Sequence, residues 1–146
     1  MKIVVDTNIV FSALLNTNSR IAQILIHAHP YFKFYSCDYL NTEIWRHQKR
    51  ILKITKLSIK EYFELLHFVT HNITFINEQL LPQELIEITQ HTLRDIDLFD
   101  VPFVALATHL DAKLWTGDLK LTNGLKAKGF ENLISTKELA SIFEDF

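Results

Sequence analysis

An α/β fold, a mostly parallel sheet of about five strands with helices on both faces, is predicted by three observations. Short β-branched runs alternate along the chain with segments of helical periodicity. The first run, Ile3-Val4-Val5, is continuously apolar, as expected of a strand buried on both faces. The segment Val101 to Leu110 is apolar nearly all round, which suits a helix buried against a sheet. With 146 residues the chain has the length of one domain, 1–146, with a sizeable core.

The first strand is Lys2 to Val5, and Thr7 to Leu15 reads as a helix. After a break at Asn16 to Ser19, the spacing of Ile21, Ile24, Leu25 and Ala28 predicts a second helix. Asn18 or Ser19 is its expected cap, Pro30 its stop, and His27 to His29 its end. Phe32 to Ser36 is the second strand. Asp38 is placed to cap a helix over Tyr39 to Ile54. Ser58 to Glu61 has capping-box spacing, ahead of Tyr62, Phe63, Leu66 and Val69 on one face. These two helices are expected to form a hairpin.

Asn72 to Ile76 is the third strand, and Pro82 suits the first turn of a helix running to Thr92. Arg94 to Asp100 reads as an acidic loop before the buried helix. Lys113 to Trp115 is the fourth strand, and Leu119 to Lys128 a helix stopped by Gly129. Asn132 to Ile134 is the fifth strand. Ser135 to Glu138 is a second capping box, opening a helix whose inner stripe is Leu139, Ile142, Phe143 and Phe146.

Composition narrows the function classes. The chain is 48% hydrophobic and 22% charged, which is globular rather than disordered. A net charge of −2 argues against a generally basic nucleic-acid binder but leaves room for a local basic patch. The single cysteine, Cys37, precludes an internal disulfide and suits a reducing compartment. Asp6 and Asn8 interrupt the apolar opening, so neither a signal peptide nor a membrane span is expected there, and a cytoplasmic location follows as the expectation.

Three acids fall at element boundaries: Asp6 after strand one, Asp118 after strand four and Asp100 at the start of the buried helix. Parallel strands put their carboxyl ends on one edge, so Asp6 and Asp118 are expected to meet there, with Asp100 brought in by its helix. Glu43 lies inside the third helix beside Ile44, facing partly inward. Each acid alone also suits a cap or a turn. Together they repel unless a cation neutralises them, and hard carboxylate oxygens select Mg²⁺ or Mn²⁺ over zinc.

Val4-Val5-Asp6-Thr7-Asn8-Ile9 resembles the opening of PIN-domain nucleases. The block Asp97 to Ala107 resembles their second acidic segment, and Leu114-Trp115-Thr116-Gly117-Asp118 their third. Glu43, in Thr42-Glu43-Ile44-Trp45, stands where the family's glutamate falls. The resemblance spans Lys2 to about Leu121. It implies a Rossmann-like three-layer sandwich and Mg²⁺- or Mn²⁺-dependent endoribonuclease activity. It makes Asp6, Glu43, Asp100 and Asp118 the catalytic acids, with Asp6, Asp100 and Asp118 as metal ligands. Asn8, Thr116 and Asp97 become supporting groups that orient carboxylates. Small PIN proteins resemble the toxins of toxin–antitoxin pairs, which implies a homodimer and an antitoxin partner.

Residues Arg46, Lys49, Arg50 and Lys53 belong to a basic run without an acid, on one side of the predicted helix. The run suits either an RNA-backbone track beside Glu43 or a solvated helix face. His47 is four residues from Glu43, close enough for the pair to touch. Tyr39, Trp45 and Trp115 are expected in packing rather than base stacking, and Cys37 has no assigned chemistry.

Two rivals remain. A haloacid-dehalogenase-like phosphohydrolase also opens with a strand and an aspartate. It needs a second acid two residues on, where this chain has Asn8. The other rival is an RNA-processing or RNA-binding PIN module without a toxin role.

Overall fold

A computed structural model describes residues 1–28 and 30–145; His29 and Phe146, named above in a helix end and an inner stripe, lie outside the described residues. Five parallel strands form one sheet in the order β3-β2-β1-β4-β5, namely β1 (Lys2–Val5), β2 (Lys33–Cys37), β3 (Ile73–Ile76), β4 (Lys113–Trp115) and β5 (Leu133–Ile134). β1 is central: Val4 pairs with Tyr35 on one side and with Leu114 on the other. Ile3, Val4 and Val5 are fully buried, which is why that run carries no polar alternation.

The helices are α1 (Thr7–Leu15), α2 (Arg20–His27), α3 (Tyr39–Arg46), α4 (Gln48–Thr55), α5 (Ile59–Thr70), α6 (Gln83–Leu93), α7 (Val101–Leu110), α8 (Leu119–Ala127) and α9 (Thr136–Glu144). Short 3-10 helices cover Glu78–Leu80 and Leu98–Asp100. From β1 to β3 the chain steps one way across the sheet; from β3 to β4 it returns past β1. Right-handed crossovers change face when the direction reverses. The packing follows that rule. α7 lies against β1, β2 and β4 with α6 beside it, whereas α1, α2 and α5 pack on one another and α9 docks on α2. The expected layered α/β architecture is therefore the observed one. Among the described residues, no single helix is long and apolar enough to cross a membrane.

Local chemistry sets most boundaries. Ser19 caps α2, accepting from the Ala22 amide at 3.1 Å. Ser58 with Glu61, and Ser135 with Glu138, close both expected capping boxes. α7 buries Val101 and every residue from Phe103 to Ala107, so its apolar circumference has a use.

Several expectations need correction. The helix over Tyr39 to Ile54 is two helices, broken at His47 (φ −96°, ψ 5°). The break turns α4 so that Ile51 is fully buried while Arg50 lies over the Phe11 ring. Arg46 therefore sits on a different helix from Lys49, Arg50 and Lys53, and the one-sided basic stripe is lost. Asp38 makes no side-chain cap. Pro82 precedes α6 as its cap residue rather than sitting in the first turn. The acidic loop contains the 3-10 turn Leu98–Asp100. α5 packs chiefly on α1 and α2 rather than as a hairpin with α4. Phe63 points outward, because positions 62, 65, 66 and 69 make the inner face. Trp115 is buried and donates its ring N–H to Thr136 Oγ1 at 2.9 Å, as packing requires. Trp45, expected in packing, is 73% exposed.

Candidate active site

The carboxyl ends of β1 and β4 adjoin where the strand order reverses, the usual place for a ligand in an open α/β sheet. Asp6 leaves β1 there, its amide donating to the Trp115 carbonyl at 3.0 Å. Its side chain is held from three directions. Oδ1 accepts from the Thr7 amide at 2.7 Å, and Oδ2 from the Thr116 hydroxyl at 2.7 Å and from Asn8 Nδ2 at 3.3 Å. Thr116 Oγ1 also accepts from the Asp118 amide at 3.1 Å and from Asn8 Nδ2 at 3.2 Å. Asn8 Oδ1 receives the Gly117 amide at 3.1 Å. Thus Asn8 and Thr116 lock the start of α1 to the turn after β4, and fix the Asp6 carboxylate between them.

The other acids arrive on separate elements. Asp118 begins α8 and accepts from the Leu121 amide at 3.2 Å, so it is a cap as well as a cleft residue. Glu43 rises from α3 and accepts from the Thr7 hydroxyl at 2.6 Å. Asp100 ends the 3-10 turn before α7 and makes no cap hydrogen bond. Its Oδ2 is buried and, among the described residues, has no hydrogen-bond partner. Asp6, Glu43, Asp100 and Asp118 line one cleft of about 250 Å³. Thr7, Asn8, Phe11, His47 and Arg50 complete its walls.

Two of these acids hold protons unusually tightly. Burial pushes Asp6 up to about 6, against the Thr116 and Thr7 hydrogen bonds, with Glu43 and Asp118 adding repulsion. Burial pushes Asp100 up to about 7, followed by repulsion from Asp6, Asp97, Asp118 and Glu43. Among the described residues, no group of three acidic, histidine or cysteine side chains already encloses a metal position. The donor set nonetheless fits a hydrated hard cation, which uses one or two carboxylates and retains waters. The unpartnered Asp100 Oδ2 has lone pairs to give.

The remaining sequence expectations sort clearly. Asp97 accepts from the Phe99 amide at 2.9 Å and shapes the turn that carries Asp100; among the described residues it has no hydrogen bond to another carboxylate. Arg50 reaches the cleft wall, 5.4 Å from the Phe11 ring centroid. Arg46 instead lies over Tyr39, at 5.9 Å, away from those walls. Lys49 and Lys53 are exposed on α4 outside the cleft lining. His47 shares the cleft with Glu43 and meets Phe11 edge-on at 5.9 Å. Sequence reasoning missed Thr7 and Phe11. Their signal was helical spacing, since Phe11 lies four residues after Thr7 and three after Asn8 on α1.

A PIN-domain family model matches residues 4–138, and the chain belongs to that family. No curated protein matches the sequence. Among solved structures, the chain resembles one described as VapBC2 from Rickettsia felis bound to a DNA fragment from their promoter. The TM-score is 0.65 at 17% identity, over 92% of this chain and 97% of that one. It also resembles a toxin–antitoxin complex from Klebsiella pneumoniae, with a TM-score of 0.58 at 18% identity over 91% and 96% of the two chains.

Proposed function

We propose that this protein is a divalent-metal-dependent endoribonuclease acting as the toxin of a toxin–antitoxin pair in the cytoplasm. One observation carries the nuclease reading: four carboxylates from four elements share one small cleft, and one of them has a buried oxygen without a partner. Structural carboxylates are ordinarily satisfied by donors, whereas a group of acids left under mutual repulsion suits a cation. Family membership and likeness to a toxin–antitoxin complex support the toxin role and an antitoxin partner, and a homodimer is part of the same proposal.

In this reading Asp6, Asp100 and Asp118 hold Mg²⁺ or Mn²⁺. A divalent ion held by these carboxylates would supply acidification of a nearby water and neutralise charge developing on phosphorus. Glu43, anchored by Thr7, orients the attacking water and accepts its proton. Asn8 and Thr116 keep Asp6 in position. Arg50 binds a substrate phosphate from the cleft wall. The substrate in this reading is single-stranded or looped RNA.

Asn8 also weighs against aspartyl-phosphate chemistry. Its amide donates to Asp6 and receives Gly117, so no acid stands ready to protonate a leaving group. An RNA-binding module without catalysis would not need Asp100 to carry an unpaired buried oxygen.

The test is cleavage of a panel of single-stranded and looped RNAs with Mn²⁺ or Mg²⁺. Asp6→Asn and Asp100→Asn should abolish cleavage while circular dichroism stays unchanged. If either variant cut at the wild-type rate, the site assignment would be wrong. Binding without cleavage at any metal concentration would favour the binding module.

A further inference from the structure

A second cavity, of about 530 Å³, is joined to the acidic cleft through one turn of the chain. That turn is Leu98–Asp100 with the first residue of α7: Leu98 and Val101 face the cavity while Asp100 lines the cleft. Leu81 and Ile86 supply further apolar surface. Glu78 and Arg94 supply opposite charges, without an ion pair between them among the described residues. Glu78 Oε2 is buried and, among the described residues, has no hydrogen-bond partner. Phe99, on the same turn, is 66% exposed at the junction.

A cavity with apolar walls and a few polar groups suits a small ring-bearing ligand. The polar groups limit which one. A carboxylate takes two adjacent N–H donors, and a guanidinium gives to two adjacent acceptors. Guanine offers both, N1–H with the 2-amino group on one edge and O6 with N7 on the other. Adenine has no such donor pair and no such acceptor pair. Single-stranded RNA is read in this way, with bases splayed out, stacked on aromatic rings and bonded along their edges.

We propose that this cavity is a guanine-nucleotide subsite, in which Glu78 reads the Watson–Crick edge and Arg94 the O6/N7 edge of a base next to the scissile phosphate, while Phe99 stacks on that base or its neighbour. The inference rests on the ribonuclease reading for its biological use, but base binding itself does not depend on cleavage.

Two measurements keep those claims apart. In the first, the folded full chain is titrated with 5′-GMP, 5′-IMP and 5′-AMP while the side-chain amide resonances of Gln83 and Gln90, both in the cavity wall, are followed by NMR. GMP should move them with about tenfold higher affinity than AMP, with IMP between them because it lacks the 2-amino group. Glu78→Gln should remove that order, and Asp100→Asn should leave it intact. In the second, matched RNAs differing at one nucleotide are cut with Mn²⁺. Guanine at the flanking position should be favoured by about tenfold, and Glu78→Gln should bring guanine and adenine together.

Equal GMP and AMP binding, or an order unchanged by Glu78→Gln, overturns the subsite. So does occupation of the cavity by an arginine-containing peptide but by no nucleotide, which would make it a protein-docking groove. Guanine binding with no cleavage of any RNA overturns the nuclease reading and leaves the subsite standing. Cleavage indifferent to guanine does the reverse.

Discussion

The Thr7 hydroxyl donates to Glu43 Oε1 at 2.6 Å, joining the first turn of α1 to α3 across 36 positions of sequence. No other side-chain hydrogen bond of Glu43 is present among the described residues, so Thr7 decides where that carboxylate points. Thr7→Val keeps the shape and removes the donor. In the nuclease reading, kcat for RNA cleavage should fall by roughly 10–100-fold, the usual cost of losing a group that orients a site carboxylate. KM should change little, and Thr7→Ser should restore most of the rate. A Thr7→Val enzyme with wild-type kcat would show that Glu43 needs no such anchor.

Stability should fall with rising pH on account of the acidic cleft. In the folded protein Asp6 and Asp100 are pushed up to about 6 and about 7, above the 3.8 of an ordinary aspartate. Between roughly pH 4 and 7 the folded state therefore binds more protons than the unfolded state, and unfolding free energy declines with pH. From about one unit above pH 7 their penalty is complete and constant. Asp100→Asn removes part of it, so the metal-free variant should melt higher than the wild type at pH 8, by roughly 2–5 °C, and almost equally at pH 4.5. Mn²⁺ must displace the same protons, so its thermal shift should grow from pH 5 to pH 8. Differential scanning calorimetry at constant ionic strength reads both effects.

The break at His47 divides the basic run, and the two parts should behave differently. Arg50 lines the cleft, whereas Arg46 rests on Tyr39. Arg50→Ala should weaken RNA binding and reduce the slope of log K against log salt by roughly 0.7, one phosphate contact on a single strand. Arg46→Ala should leave the slope nearly unchanged. Equal slopes for both variants would return Arg50 to the role of a solvated side chain packed on Phe11. Fluorescence anisotropy across a salt series makes the distinction.

The sheet was legible in the sequence because parallel strands buried on both faces leave an unmistakable apolar run. Ile3 to Val5 and the all-round apolar α7 needed nothing else. Both capping boxes were local and therefore readable. The break at His47 was not, since neither glycine nor proline marks it; burial of Ile51 and the Arg50–Phe11 contact accompany the turn there. Trp45 was misread for a related reason. A large aromatic beside Ile44 suggests packing, but only Ile44 faces the core once α3 stops at Arg46. Convergence of the acids followed from topology, because Asp6 and Asp118 end adjacent strands. The hydrogen bonds among Thr7, Asn8, Thr116 and Gly117 depend on rotamers and loop geometry that no spacing encodes.

β1 emerges first, yet its partner β4 comes 109 residues later, counting from Asp6 to Trp115. At synthesis rates of about 5–20 residues per second, Asp6 waits roughly 5–20 s for Trp115 to be made. Until then Thr116 cannot orient it and Asp118 cannot join the cleft. The cleft is thus a late product of translation, and a truncated or stalled chain lacks it. In the nuclease reading, such a clock gives the cell an interval in which the growing polypeptide is inert beside the messenger that encodes it.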